Sequence, residues 1–583
     1  MLVKTPRQLS NVWAYLPVAI FLTSTLLLFA GCGGDVPSVR DIQRRRDQQR
    51  QAVSESDSVR DAFDLLQDYA KLQPEEAQRR IGSLLNAWAA ANPFPDDWQE
   101  PRLLGTLSSQ LRDFPANRQL AATRFVGADI EYLRLNFLLD RILEWMQIET
   151  AEDPLFVDWI GEQTDRLGTQ GVADLLQASR LFDWTVRNIQ LETLEAQGPG
   201  PQAPPLPAGL EFRGPGYRQT TFQTLYGGDG DALQRARVFI QLCRQSNIDA
   251  CMLAHGSGAK PTEWAVGVRI GEELFLFEPA LGLPIPGPDQ IGITTLTEAR
   301  ENPSVLRRLN VPGWFDYPLD NKAIEKTIAM LDAPPESMSR RMRHLQAGLA
   351  GEQRLVLGYD VDAAAAALGK IPGIEEVRLW PLATESRLYE MVLTDLARTD
   401  QQILLWQAYQ WGMLRGTYPL AIARWEHLCG NFSREGQDDG ARIMYMAMRH
   451  PEFEIDDLRT NIDLQRSYGV RRELRMTEEQ FDMQIQQVQT FMRLAKRAAS
   501  YWISLLHYDL GDPKNAASWH QKRILQEDLE SPWKSGARYN LARSLELLGE
   551  REQAAELYKT IGDPQEHGNR IRARLLENFA AEP

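Results

Sequence analysis

The sequence predicts an α+β fold in which helix predominates, and three observations lead to this class. Apolar residues recur at a helical period over residues 57–197 and again over 401–583. Between Gly230 and Pro286 a helical pattern gives way to short apolar runs and alternating segments, which indicate strands. The chain has 583 residues, 43% of them hydrophobic, which is enough to build several buried cores.

The first residues carry the pattern of a secretion signal. A short basic stretch precedes an apolar run over residues 12–29, and the small pair Ala30 and Gly31 then leads to Cys32. The Ala-Gly-Cys ending resembles the lipobox of bacterial lipoproteins, although phenylalanine stands three residues before the cysteine, where leucine is usual. This resemblance implies that residues 1–31 are a signal peptide, that Cys32 carries lipid, and that the protein is anchored at the periplasmic side of the cell envelope.

An uncleaved transmembrane anchor is the alternative interpretation of the apolar run. Its length of about eighteen residues reaches the lower limit for a membrane span. Pro17 within the run and the cysteine at its end favour the cleaved signal instead. Both interpretations attach the protein to a membrane and place residues 33–583 outside the cytoplasm.

Charge and cysteine content narrow the classes of partner. A net charge of −15 argues against nucleic acid and against direct docking on anionic lipid. After Cys32 only Cys243, Cys251 and Cys429 remain, and no Cys-x-x-Cys or Cys/His cluster occurs. We therefore expect buried free thiols, with neither a disulfide framework, a metal site nor a cofactor.

A polar tether and a helical region follow the signal. Residues 32–56 contain almost no apolar side chains and are predicted to be a flexible tether. Residues 57–197 are predicted to be helical. Their longest helix is expected to run to Trp145 from a cap at Asp113 or Asn117.

The next two regions mix helix with strand. Residues 198–290 comprise a loop rich in proline and glycine, then a helix and antiparallel strands. Residues 291–400 are predicted to be a mixed α/β connector containing a small βαβ-like piece. Its parts are a strand at 354–360, a helix at 363–367 and a strand at 375–382. We find no chemistry in this connector and interpret it as a packing module.

The C-terminal region shows internal repetition. Alanines and a turn glycine, Gly549, recur at spacings that allow two helices to pack closely over residues 536–561. This segment resembles a tetratricopeptide repeat, and weaker copies occupy residues 501–520 and 405–425. The resemblance implies that residues 401–583 are a tetratricopeptide-like array.

Arrays of this kind stack into curved surfaces that commonly bind peptides or proteins. We therefore expect an envelope protein or peptide as the partner, with Tyr539 and Tyr558 as candidate binding residues. Ordinary antiparallel helical hairpins are the alternative interpretation, with the weakest repeat signal near residue 405.

A short segment in the middle of the chain carries an ordered set of motifs. A helix over 231–245 leads to an Ile-Asp-Ala step at 248–250, then to Trp264 in a second strand, and finally to Phe277-Glu278-Pro279. This order resembles the transglutaminase-like superfamily, whose fold is related to that of papain-like cysteine proteases.

The catalytic residues implied by that resemblance are missing. The family's cysteine falls on Ala232, its histidine on Thr262 and its aspartate on Glu278, the only acid retained. Alanine and threonine supply neither a thiolate nor a base, so thiol–imidazole catalysis has no nucleophile here. We predict a scaffold without the family's activity.

Relocated catalysis is the alternative. Cys251 and His255 share one face of a predicted strand, but four residues at ~3.3 Å each separate their Cα atoms by ~13 Å. Cys243 lies in the middle of a helix on its apolar face, where a thiol is inert. Trp264 and Phe277 are interpreted as core residues or, alternatively, as the lining of a retained groove.

These inferences predict a membrane-anchored envelope lipoprotein that acts as a non-catalytic binding or scaffold protein. A cysteine-type hydrolase or acyltransferase acting on envelope peptides is the alternative function. A purely structural envelope component is a third.

Overall fold

The computed structural model describes residues 58–149, 152–192, 219–256, 261–414, 416, 418–433 and 440–581. Cys32 and the apolar run before it lie outside these residues. Helix far outweighs strand, which confirms the expected α+β, predominantly α class. Within the described ranges, no helix is both long and apolar enough to cross a bilayer.

Helices make up most of the molecule and are numbered in chain order. Up to the main sheet they are α1 (58–67), α2 (Pro74–Ala91), α3 (Ser109–Arg112), α4 (Gly127–Glu149), α5 (Val157–Glu162), α6 (Thr164–Asn188), α7 (Thr221–Gly227) and α8 (Ala232–Gln245). Within and after the sheet they are α9 (Leu296–Glu301), α10 (Ser304–Arg307), α11 (Pro335–Met338), α12 (Arg340–Gly348), α13 (Val361–Leu368) and α14 (Leu382–Leu396).

From residue 401 on, the described residues form helices and no strand. They are α15 (Gln401–Trp411), α16 (Pro419–Leu428), α17 (Ala441–Ala447), α18 (Glu452–Asp456), α19 (Ile462–Ser467), α20 (Glu478–Asp509), α21 (Pro513–Trp519), α22 (Lys534–Leu547), α23 (Arg551–Tyr558) and α24 (Glu566–Ala581).

The strands form one small pair and one six-stranded sheet. The pair is parallel and joins β1 (Gln190–Leu191) to β2 (Asp229–Gly230). The sheet contains β3 (Ala250–His255), β4 (Thr262–Ile270), β5 (Glu273–Glu278), β6 (Leu283–Pro284), β7 (Thr327–Leu331) and β8 (Ile374–Leu379). Its order is β6-β5-β4-β3-β7-β8, and every neighbouring pair is antiparallel except β7 and β8.

Helix α8 lies on strands β3 and β4 and also packs against α6. Phe182 of α6, Phe239 of α8 and Phe277 of β5 meet in a cluster whose ring centroids lie 5.0, 5.2 and 5.2 Å apart. All three rings are buried. Tilted and edge-to-face aromatic pairs add about 0.5–1.5 kcal/mol beyond burial, so this cluster fastens both helices to the sheet.

The expected start of the long helix through Trp145 was wrong. Helix α4 begins at Gly127, because the backbone N–H of Val126 donates to the carboxylate of Asp129 at 2.8 Å. Asn117 is buried and donates its side-chain amide to the carbonyl of Leu111 at 2.8 Å, so it caps nothing.

The expected strand at 354–360 was also wrong. Its backbone N–H groups donate to side chains rather than to a neighbouring strand: that of Val356 to Gln245 at 3.1 Å, and those of Leu357 and Gly358 to Gln346 at 2.6 and 2.7 Å. A parallel βαβ arrangement does exist in this region, but its first strand is β7, and α13 lies between β7 and β8 in the chain.

Two of the three segments aligned as repeats are helical hairpins, α20 with α21 and α22 with α23, and the third contains the consecutive helices α15 and α16. A glycine in the left-handed region lies between α22 and α23 (Gly549, φ +79°), between α20 and α21 (Gly511, φ +69°) and between α15 and α16 (Gly416, φ +58°). Glycine adopts this conformation without steric cost, which suits the turn of a hairpin. The hairpins are observed, and their assignment to the tetratricopeptide family stays a prediction.

Buried ion pairs connect the C-terminal helices to α6. Arg187 of α6 donates to Asp183 at 2.8 Å and to Asp509 of α20 at 3.1 Å. Arg543 of α22 lies 3.0 Å from Asp183 and also contacts Glu546. These side chains are at most 5% exposed, so the contacts are largely shielded from solvent.

The same network continues through α24. Arg572 donates to both oxygens of Asp153, at 2.9 and 2.8 Å, and to Glu546 at 2.7 Å. The hydroxyl of Tyr558 donates to Glu546 at 2.6 Å. Burial alone would raise the pKa of Asp153, but the guanidinium groups of Arg543 and Arg572 outweigh it and hold that pKa well below its ordinary range.

Replacing Arg543 with methionine should lower the free energy of unfolding by about 3–5 kcal/mol, because removing one partner leaves buried carboxylates uncompensated. Urea unfolding followed by circular dichroism measures this loss. Arg398 is the matched control, because it pairs with Asp395 at 3.2 Å in solvent, and Arg398→Met should cost about 0.5 kcal/mol or less. An Arg543→Met loss no larger than the control's would contradict the importance given to this network.

Candidate functional site

The start of helix α8 is built as the sequence predicted. Asp231 accepts a hydrogen bond from the backbone N–H of Gln234 at 2.9 Å, and the Gln234 side chain accepts one from the backbone N–H of Asp231 at 2.8 Å. This reciprocal cap fixes Ala232 as the first helical residue. A methyl group therefore stands at the helix N-terminus, the position where a helix dipole favours a thiolate in cysteine enzymes.

Thr262 begins strand β4 and is exposed to solvent. Its direct partner on β3 is His255, which is half-buried, and burial lowers the pKa of its imidazole. The pairing of β3 and β4 has an irregularity between Met252 and Ala254, before it reaches this end. The structure thus places a histidine beside the position where the resemblance would put one, on the neighbouring strand.

Glu278 ends strand β5 and takes part in a buried hydrogen-bond relay. The indole N–H of Trp264 donates to the hydroxyl oxygen of Tyr317 at 2.6 Å, and that hydroxyl donates to Glu278 at 2.7 Å. The second carboxylate oxygen accepts the backbone N–H of Ala280 at 3.2 Å. Burial raises the pKa of Glu278 to about 7, although both hydrogen bonds oppose the rise.

The C-terminal helices contact this part of the core. Arg235, one turn into α8, donates to Gln565 at 2.6 Å and to the carbonyl of Pro279 at 3.3 Å. His567 of α24 bonds through Nε2 to the carbonyl of Leu309 at 2.7 Å, and its ring lies 6.2 Å from that of Tyr317. The carboxylate end of the site is therefore bounded by residues from the far end of the chain.

The thiols near the site are not poised to react. Cys243 and Cys251 are both fully buried. Burial raises the pKa of Cys251 to about 12 and raises the pKa of Cys243 further still, so each is a neutral thiol at physiological pH. Cys251 lies opposite Gly267 on β4, and His255 lies opposite Thr262, so the two residues face different partners.

The remaining candidate residues are interior ones. Trp264 is 6% exposed and Phe277 is fully buried, which places both in the core and leaves neither as the lining of an open groove. Tyr539 and Tyr558 are also buried, with ring centroids 5.8 Å apart. Burial removes the two tyrosines from the surface that a protein partner could contact.

A second candidate site lies on the segment from Ile443 to Met483. This segment and the start of α20 have a small apolar core of their own, separate from the main one. Six large apolar side chains of the segment are 39–107% exposed: Ile443, Met446, Phe453, Ile462, Leu474 and Met483.

A groove of about 800 Å³ lies at the end of this segment, between Glu473 and Thr490, and its lining includes Met476, Met483 and Gln484. The side-chain carbonyl of Gln484 is buried, and it has no hydrogen-bond partner within the described ranges. Flexible methionines beside a free acceptor suit a surface that adapts to peptides.

Three comparisons, with protein-family models, with curated proteins and with solved structures, find no match to this chain. Among the described residues, no group of three or more His, Cys, Asp or Glu side chains is arranged to hold a metal ion.

Sequence reasoning missed Tyr317 and Arg235. Tyr317 lies 39 positions from Glu278 in a loop without periodicity, and Arg235 meets Gln565 across 330 positions. No local spacing could connect either pair. The run Arg471-Arg472-Glu473-Leu474-Arg475 did carry a signal for an exposed surface, since a lone leucine stands among charges.

The substitution Glu278→Gln should remove a loss of folding stability that occurs as the pH rises. The native pKa of Glu278, about 7, exceeds its ordinary value of 4.5, so its contribution is full below about pH 4.5 and is lost as pH rises through 7. From pH 5 to pH 8, wild type should therefore lose about 2–3 kcal/mol relative to Glu278→Gln.

Unfolding free energies of both proteins at the two pH values provide the measurement. Because the variant retains the other groups that titrate in this range, such as Glu192 and Asp229, their contributions to the unfolding free energy cancel in the comparison with wild type. The exposed residue Glu301 supplies the control, since Glu301→Gln should differ from wild type by about 0.5 kcal/mol or less at either pH. Equal behaviour of the two variants would rule out a buried, proton-binding Glu278.

Proposed function

We propose that this protein is a membrane-anchored envelope lipoprotein that binds another envelope protein or peptide and catalyses no reaction. The observation that carries the proposal is the pair of side chains at the start of α8 and the start of β4. Ala232 and Thr262 supply neither a thiolate nor a base, and the one acid at the related position, Glu278, accepts hydrogen bonds from Tyr317 and Ala280. A core arranged in this way lacks the thiol–imidazole pair with which cysteine enzymes attack a carbonyl.

The arm formed by residues 443–483 supports a binding role. Its exposed apolar side chains leave hydrophobic area in water, which is typical of surfaces that contact a partner. Because Tyr539 and Tyr558 are interior residues, we assign the contact to this arm rather than to the last hairpin. Phe453 and Leu474, 70% and 107% exposed, are the proposed anchors.

The lipid anchor is tested by metabolic labelling with a fatty acid in a bacterial host. We expect label on the wild-type protein and none on Cys32→Ser, because the thioether bond to lipid requires the cysteine sulfur. Mass spectrometry of the mature N-terminus should show an acylated Cys32. An unlabelled wild-type chain that still begins at Met1 would contradict the anchor.

Partner binding is tested by crosslinking in intact cells and purification in detergent. Wild type should recover a specific envelope protein or peptide, and the double substitution Phe453→Ser with Leu474→Ser should reduce recovery about tenfold or more, as loss of two anchors predicts. Ile561, 68% exposed and outside the arm, provides the control, and Ile561→Ser should leave recovery unchanged. Equal recovery by all three proteins would overturn the assignment to the arm.

A cysteine hydrolase with a relocated nucleophile is the competing proposal. A thiol-directed probe separates the two, because thiols with a pKa of about 12 or above are almost entirely protonated at neutral pH. Cys243 and Cys251 should stay unlabelled in the folded protein and react after denaturation. Labelling in the folded state that denaturation abolishes would favour the enzyme.

A further inference from the structure

A cavity of about 80 Å³ lies between helices α4, α8 and α14 and the start of α7. A single water needs roughly 10–15 Å³ measured in this way, so the space exceeds one water several times. Pockets for drug-sized ligands measure about 300–1,000 Å³, so it is far too small for a peptide. Only a ligand of a few heavy atoms fits.

The cavity wall carries more acid than base. Glu131, Glu336 and Glu390 line it together with Arg387, whose guanidinium lies 2.8, 3.9 and 2.8 Å from the three carboxylates in that order. Arg134 is the second cation of the wall, and it lies over the ring of Phe222 at 3.7 Å. Two guanidinium groups thus face three carboxylates.

A third guanidinium does not change this balance. Arg237 also lines the cavity, but it is paired with Asp332 at 3.1 Å and donates to Ser386 at 2.9 Å. With all three carboxylates ionised, the wall carries one negative charge in excess, although burial raises the pKa of Glu336 and Glu390. A bound monovalent cation would neutralise this excess.

The wall also contains an unused acceptor. Gln241 is 3% exposed, and its Nε2 donates to Thr221 at 3.0 Å and to Asp332 at 2.6 Å. Its Oε1 has no hydrogen-bond partner in the part of the chain that the structure describes. A buried acceptor left unpaired costs about 1–3 kcal/mol, so the geometry calls for a donor inside the cavity.

We propose that this cavity binds a small primary ammonium cation. Such a group has three N–H donors, no acceptor and one positive charge, which matches the free oxygen of Gln241 and the excess carboxylate. Glu336 is the residue assigned to the charge, because it is buried and the guanidinium of Arg387 lies farther from it than from the other two carboxylates. This site is independent of the proposed partner surface.

Calorimetric titration of the full-length protein with ethylammonium and with ethanol at pH 8 tests the proposal. The two probes have the same number of heavy atoms and differ in charge and donor count. We expect saturable binding of one ethylammonium per chain and none of ethanol. Equal binding of the two probes, or no saturable binding of ethylammonium, would overturn the proposal.

Two variants localise the binding. Glu336→Gln keeps the size of the side chain and removes its charge, so the Kd for ethylammonium should rise about tenfold or more, as loss of a charged hydrogen bond predicts. Glu100 is exposed and lies outside this cavity, and Glu100→Gln should leave the Kd within about twofold of wild type. An unchanged Kd in folded Glu336→Gln would place the cation elsewhere and contradict the assignment. The ethylammonium–ethanol comparison on wild type decides the proposal even if this variant does not fold.

Discussion

Three arginines and four carboxylates with almost no access to solvent lie where α6 meets the C-terminal helices. Carboxylates from other helices or loops hold each of the three arginines, Arg187, Arg543 and Arg572. Removing each ion from water costs several kcal/mol. That cost is offset only when all partners are in place with good geometry. The arrangement therefore demands one relative position of α6, α20, α22 and α24, and partial assembly is strongly disfavoured.

The surroundings of the sheet and helix α8 follow from that position. With α24 fixed against the rest of the protein, Gln565 reaches Arg235, and His567 lies beside Tyr317. These residues lie along the side of the core that contains Glu278. The C-terminal helices therefore cover this side of the core. The proposed ammonium site lies among other helices.

Local patterns in the sequence were sufficient where one element alone decides the outcome. Helix α8, the β4–β5 hairpin and the turn at Gly549 were predictable because apolar spacing and turn residues determine them. The strand expected at 354–360 was wrong because side chains bind its backbone: Gln346, 11 positions from Leu357, and Gln245, 111 positions from Val356, and apolar periodicity reveals neither contact. The candidate site divided in the same way. The sequence showed which residue types stand at positions 232, 262 and 278. Only the structure showed the hydrogen-bond relay through Tyr317 and the burial of Tyr539.

Buried ions join the core and the C-terminal helices into one cooperative body. Native-state hydrogen exchange resolved by mass spectrometry tests it directly, because amides that open together exchange with the same free energy. We expect the most protected amides of α6, α22 and α24 to share one opening free energy and to be lost in one step as denaturant is added. Opening of α22 and α24 at a clearly lower free energy, with α6 and the sheet still protected, would contradict the claim.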